Sequence, residues 1–175
     1  AIELRQCGDY GRSDMTRTEN CDIEIRADNR VDEPVVDALA AGKYVVCEKP
    51  LAHTLQAADR IIKAAERFPG KLSTVYQLRF LPEVEKTIWL RDHGKVGELK
   101  FGQFQRFSQL AGSAGGKTGW WGRWSTSGGG VVMTQFIHHL DQACYLFGQA
   151  VEVSAVIGTL QEPIESEDTF SATIR

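Results

Sequence analysis

Helical and strand periods alternate twice between Glu33 and Gln77. That alternation restricts the fold more than any other feature of the chain. The segment "EPVVDALAAG" places Pro34 in the first turn of a helix and Gly42 just past its end. "YVVC" follows, a short apolar run suited to a strand buried on both faces. "LAHTLQAADRIIKAAERFPG" then offers Thr54 as an N-cap. It lines up Leu55, Ala58, Ile61, Ile62 and Ala65 on one face and stops at Pro69–Gly70. "KLSTVYQ" reads as the next strand. Elements in this order predict parallel strands joined by crossover helices, an α/β layer of the doubly wound kind.

Beyond Gln77 the pattern changes. "LPEVEKTIWLRDHG" predicts an amphipathic helix ending at Gly94, and "GELKFGQFQRF" a long strand. "VEVSAVIGT" and "DTFSATIR" predict two more strands, the latter with Phe170, Ala172 and Ile174 alternating. Strands without helices between them imply an open mixed or antiparallel sheet. The expected organisation is an incomplete parallel α/β unit over residues 1–77 and an incomplete α+β unit over 78–175. The opening stretch "AIELRQCGDYGRSDMTRTENCD" is polar and carries no clear period.

Composition excludes several partners. The net charge is −3 and no Lys/Arg block forms a face, which argues against nucleic acid and anionic membrane. No apolar run reaches the length of a membrane span. Cys7, Cys21, Cys47 and Cys144 are scattered without a CxxC pair, so reduced core thiols and a cytoplasmic compartment are expected.

Three stretches carry candidate chemistry. In "SGGGVVMTQFIHHLDQACYLFG", Met133, Phe136, Ile137, Leu140, Cys144 and Phe147 form an apolar helix face. Thr134, His138, Asp141 and Tyr145 fall on a stripe beside it, while His139 points elsewhere. An imidazole at the edge of a buried face, with an acid nearby, is suited to proton transfer. The glycines allow backbone, ligand or another chain to approach the helix start closely. Glu48, Lys49 and Pro50 directly follow the "YVVC" strand, at the carboxyl end where parallel sheets bind ligands. Gln77 and Arg79 end the next strand, and Arg79 is placed to hold a hydroxyl-rich or anionic ligand. Trp121 and Arg123 lie in the long Gly/Ser/Trp-rich stretch before the glycines and are candidate pocket walls. Each has a structural reading as well: a boundary histidine, a surface Lys–Glu pair, a salt bridge, loop packing.

Taken in order, "ALAAGKYVVCEKPLAHTLQAADRIIKAAE", "YQLRFLP" and "GGGVVMTQFIHHLD" resemble the Gfo/Idh/MocA oxidoreductase family, from about Asp22 to the last residue. The resemblance implies an NAD(P)-binding Rossmann domain, here 1–77, joined to a C-terminal α/β substrate domain with an open sheet, here 78–175. It implies NAD or NADP as cofactor, a sugar or polyol as substrate, and a homo-oligomer formed through the C-terminal sheet. By resemblance Lys49 and His138 are the catalytic pair, and Asn29, Glu48, Lys49, Pro50 and Gln77 lie along the cofactor. Arg79, Trp121, Arg123, Thr134 and Asp141 are assigned to the substrate, and no metal is implied. Some positions depart from the family pattern. Thr134 stands where an Asp is frequent. The "TPN" turn is reduced to Asn29. No GxGxxG follows a strand, although "CGDYGRS" contains Gly8 and Gly11. The expectation is therefore part of a longer enzyme. The alternative is a non-catalytic sugar-binding or oligomerising remnant of one. A His/Asp metal hydrolase is a poorer reading, because His53, His93, His138 and His139 lack ligand spacing.

Overall fold

The computed structural model describes residues 32–107, 122–160 and 164–175, together with the backbone of 5–6 and 23–25. The chain divides into two compact units. One contains residues 1–75 with Ser125–Gly128, and the other contains 76–124 with 129–175.

The first unit is built on a four-stranded sheet in the order β1-β2-β3-β4, formed by Arg5–Gln6, Ile23–Ile25, Val45–Cys47 and Leu72–Thr74. The last three strands are parallel, with Ile25, Cys47 and Thr74 in register at their carboxyl ends. Helix α1 (Asp32–Ala40) connects β2 to β3, and α2 (Leu55–Glu66) connects β3 to β4. This is the helix–strand alternation predicted from Glu33 onward. β1 pairs antiparallel with β2. β2 itself, three residues inside a polar stretch, was not legible from periodicity.

Local chemistry fixes these elements. Gly42 closes α1 at φ 74°, a conformation that favours glycine. The Thr54 hydroxyl accepts the Ala57 N–H at 3.2 Å, so the predicted N-cap is in place. Asp32 is nearly buried at the start of α1 and accepts from Arg60 Nε of α2 at 2.7 Å.

The core of this unit joins Val35, Ala38 and Leu39 of α1, Val45 and Cys47 of β3, Ala52, and Ala57 and Ile61 of α2. Both helices therefore contribute to the same core cluster. Two expectations are corrected here. β3 is buried on one face only: Val45 and Cys47 point inward, whereas Val46 is 41% exposed. Alternation sends Val46 to the face opposite the cluster shared by α1 and α2. The inner side of α2 is centred on Ala57 and Ile61, and Leu55 and Ile62 face outward. Stripes offset by one residue differ by only about 100°, and the sequence pattern does not separate them. The small alanines allow the close packing.

In the second unit, a 3₁₀ turn (Gln77–Phe80) leads into α3 (Pro82–Asp92), with Pro82 at the first helical position. α3 ends at His93 and Gly94 as expected, the glycine at φ 62°. The helical turn α4 (Trp124–Ser127), which belongs to the first unit from Ser125 on, precedes the glycines. A π-wound turn (Val132–Phe136) then runs into α5 (Ile137–Phe147), closed by Gly148 at φ 97°. β5 (Val153–Gly158) and β6 (Thr169–Ile174) pair antiparallel, as predicted. Residues 97–107 form no strand, against expectation. A strand exists only where its N–H and C=O groups find a ladder. Among the described residues, β5 and β6 are bonded to each other alone.

The thiols separate by environment. Cys47 is fully buried, and burial first, then the neighbouring Glu48 carboxylate, push its pKa up to about 11. Cys144, expected in a core, is exposed. Brief alkylation at mildly alkaline pH, read by peptide mass spectrometry, is expected to modify Cys144 and spare Cys47, since the thiolate is the reactive form. Equal labelling of both in folded protein would contradict the burial of β3.

Candidate functional site

β3 delivers "EKP" to the carboxyl edge of the parallel strands. The Cys47 carbonyl accepts the Val75 N–H at 2.9 Å, which completes the ladder at that edge. Glu48, Lys49 and Pro50 follow, all partly buried, with the Lys49 N–H donating to Glu48 Oε2 at 3.3 Å. This is the edge at which open parallel sheets bind ligands. The exposed Val46 adds apolar surface beside that edge. Asn29, and the stretch holding Gly8 and Gly11, lie outside the described residues.

In the second unit, the helix carrying His138 begins against a backbone obstacle. A Cβ on Gly130 would stand 1.8 Å from the Glu167 carbonyl oxygen. Gly128, in the first unit, sits at φ 71° with the His53 carbonyl 2.2 Å from where its Cβ would be. The glycines thus admit other parts of the same chain. The π-wound turn adds one residue before α5 and changes the phase of everything beyond it. His138 and Gln142 are the buried residues of α5. The predicted apolar face is less buried than expected: Cys144 and Phe147 are exposed. An unbroken 3.6-residue period from Met133 onward had implied the other orientation.

The 3₁₀ turn is bolted to α5. Arg79 donates from Nε and Nη2 to the two carboxylate oxygens of Asp141, at 2.7 and 2.5 Å. Its guanidinium also lies 4.7 Å from the Tyr145 ring centroid and 5.6 Å from that of Tyr76. Gln142 Nε2 donates to the Leu78 carbonyl at 3.2 Å. The outcome is that Tyr76 meets His138 edge to face, ring centroids 6.2 Å apart. His138 is 6% exposed.

The predicted stripe is rearranged accordingly. Asp141 serves Arg79, and the Thr134 hydroxyl donates to the Gly130 carbonyl at 2.7 Å. His139 does point elsewhere. It stacks on Phe136, and burial followed by the Arg106 charge lowers its pKa. Gln77 and Arg123 are exposed, and Trp121 lies outside the described residues.

Three contributors were missed by sequence reasoning. Tyr76 stands next to Gln77 in "YQLRFLP", but no local pattern ties its ring to His138. Gln142 follows HxxD directly. Glu167 lies in another segment, and no local pattern ties it to the glycines. Among the described residues, no group of three metal-ligating side chains comes together, and no helix is long and apolar enough to cross a membrane.

Residues 22–76 match the oxidoreductase family with an NAD-binding Rossmann fold, and residues 89–175 match the GFO/IDH/MocA C-terminal domain. An uncharacterised oxidoreductase of Schizosaccharomyces pombe is 35% identical over 79% of this chain and 37% of its own length. Levoglucosan dehydrogenase of Pseudarthrobacter phenanthrenivorans is 24% identical over 82% of this chain and 38% of its own. The dehydrogenase WlbA of Bordetella pertussis, solved with NADH and UDP-GlcNAcA, is 26% identical. It superposes with a TM-score of 0.67 over 82% of this chain and 44% of that one. The chain spans 34% to 40% of the length of such curated relatives.

Proposed function

The chain belongs to the Gfo/Idh/MocA family of oxidoreductases, and from that premise we propose that the full-length protein oxidises a secondary alcohol of a sugar or polyol, with NAD or NADP as hydride acceptor. In this reading residues 1–77 belong to the dinucleotide-binding portion and 78–175 to the substrate portion. The observation that carries it is His138, buried on a helix whose start is fixed by backbone contacts, within a chain matched to the family on both sides.

The nicotinamide supplies the hydride-accepting carbon when bound. The chain's own residues do the rest. As the carbinol C–H bond breaks, its hydroxyl proton must leave and charge builds on the oxygen. A ring nitrogen of His138 takes that proton, and the Lys49 ammonium stabilises the developing negative charge. The carbinol becomes a carbonyl, with its proton held on His138, and a bound nicotinamide would supply the hydride acceptor. Tyr76 supports the imidazole from its edge. Arg79, held by Asp141, is assigned to substrate hydroxyls with Arg123 and Thr134, and Trp121 to the sugar C–H faces. Asn29, Glu48, Pro50 and Gln77 are assigned to the nicotinamide end by the family resemblance. The name of levoglucosan dehydrogenase and the UDP-GlcNAcA solved with WlbA support the substrate class. Self-association through the C-terminal sheet is part of the same reading.

The test is a panel of pyranoses and polyols with each nucleotide in turn, using full-length protein and following nicotinamide absorbance. Turnover with at least one pair is expected, and Lys49→Ala should reduce it at least ~10-fold, a larger factor than it weakens nucleotide binding. Folded protein that binds sugars but reduces neither nucleotide would favour the non-catalytic alternative.

A further inference from the structure

One carboxylate holds the start of the His138 helix. Glu167 is 4% exposed. Its Oε2 accepts the Gly130 N–H at 2.7 Å, and its Oε1 accepts the Val132 N–H at 3.1 Å. Its main-chain carbonyl accepts the Val131 N–H at 2.9 Å. Three consecutive N–H groups are therefore satisfied by one residue from a distant segment. These are donors that a helix start leaves without intrahelical partners, at the positive end of the helix dipole.

The π-wound turn follows immediately. One extra residue re-phases the helix beyond it by about 100°. His138 is the second residue of α5, so the winding of residues 132–136 sets the direction of its ring. α-Helical winding is the ordinary preference of such a segment. Something must hold the alternative, and the only acid hydrogen-bonded to this helix start among the described residues is Glu167.

We propose that Glu167 is a positioning residue for His138: its carboxylate fixes the π-wound start of α5 and thereby the direction of the imidazole. This rests on the reading of His138 as proton acceptor. Glutamine at this position keeps the volume, yet must turn an amide N–H₂ towards one of the backbone donors. Aspartate keeps the charge and falls short by one methylene.

The test is a double-mutant cycle in the full-length enzyme, with Glu167→Gln and Glu167→Asp each combined with His138→Asn. With His138 present, each Glu167 variant should lower kcat at least ~10-fold with KM changed less than about twofold. In the His138→Asn background the same substitutions should change kcat less than about twofold, because the residue they act through is gone. Independently of turnover, Glu167→Gln should move the His138 ring resonance of the isotope-labelled protein and leave those of His53 and His93 in place. Equal losses in both backgrounds, an unmoved His138 resonance, or failure of both variants to fold would overturn the proposal and make Glu167 a structural cap. A His138→Asn enzyme with unchanged kcat would instead overturn the catalytic reading. The two failures are thus distinct.

Discussion

Gly130→Ala is expected to abolish stable folding of the second unit. The added methyl would stand 1.8 Å from the Glu167 carbonyl oxygen, 2.8 Å from its carbon and 3.0 Å from its nitrogen. All three are backbone atoms, which cannot swing aside as a side-chain tip does. Relieving the overlap means separating Glu167 from the helix start, which breaks the bonds from Gly130, Val131 and Val132 together. Overpacking in a core costs about 1–3 kcal/mol when side chains can adjust. Here a clash is joined to three lost hydrogen bonds of about 1 kcal/mol each, and more where a donor stays buried. The sum reaches the ~4–5 kcal/mol range that marks exceptional substitutions. The comparison is Gly129→Ala, whose methyl would meet Met133 Cγ at 2.6 Å, a flexible chain that can turn away. Gly158→Ala, with nothing within 4 Å, is the control. Denaturant titration of the three should give a large, a modest and a negligible loss. A Gly130→Ala protein as stable as Gly158→Ala would show that Glu167 does not sit against the helix start.

Gly130 also marks the boundary of what was legible in the sequence. Three glycines before a helix say that something comes close, and it does, but the sequence does not say what. The Glu167 carbonyl and carboxylate arrive from another segment, and no local period encodes them. Elements whose causes are local were readable. Thr54 caps α2 because its hydroxyl reaches a donor three residues away. Gly42 and Gly94 end helices through their own backbone angles. The position of Lys49 past a strand end follows from "YVVC" being parallel and short. Where tertiary context decides, the reading drifted. The burial of His138 and Gln142, instead of Cys144 and Phe147, depends on a π-wound turn that sequence patterning cannot register. Residues 97–107 have strand-like alternation, yet a strand needs a partner edge. Arg79 and Asp141 each read as substrate residues in the sequence, but their mutual pairing spans two elements, which no local pattern encodes.

His138→Asn is expected to lower kcat for alcohol oxidation by ~10²–10⁴, the usual worth of a positioned proton acceptor. Asparagine is smaller than the imidazole and polar, so burial at this position is tolerated, while no group of useful basicity remains. The loss should fall on kcat and kcat/KM together, because the proton moves only as the transition state forms. Nucleotide affinity should stay within about twofold, since none of the family-matched cofactor positions is changed. The pH profile carries the sharper signature. Alcohol oxidation needs the neutral imidazole, so the enzyme with His138 should lose activity as pH falls and the ring protonates. In His138→Asn that acidic limb should vanish, leaving a low rate governed by hydroxide and by the remaining groups. His139→Asn is the internal comparison. Its ring stacks on Phe136 away from the His138 contacts with Tyr76, so this variant should keep both rate and profile. A His138→Asn enzyme that retains its acidic limb would assign the titrating group elsewhere and return His138 to the role of a buried boundary residue.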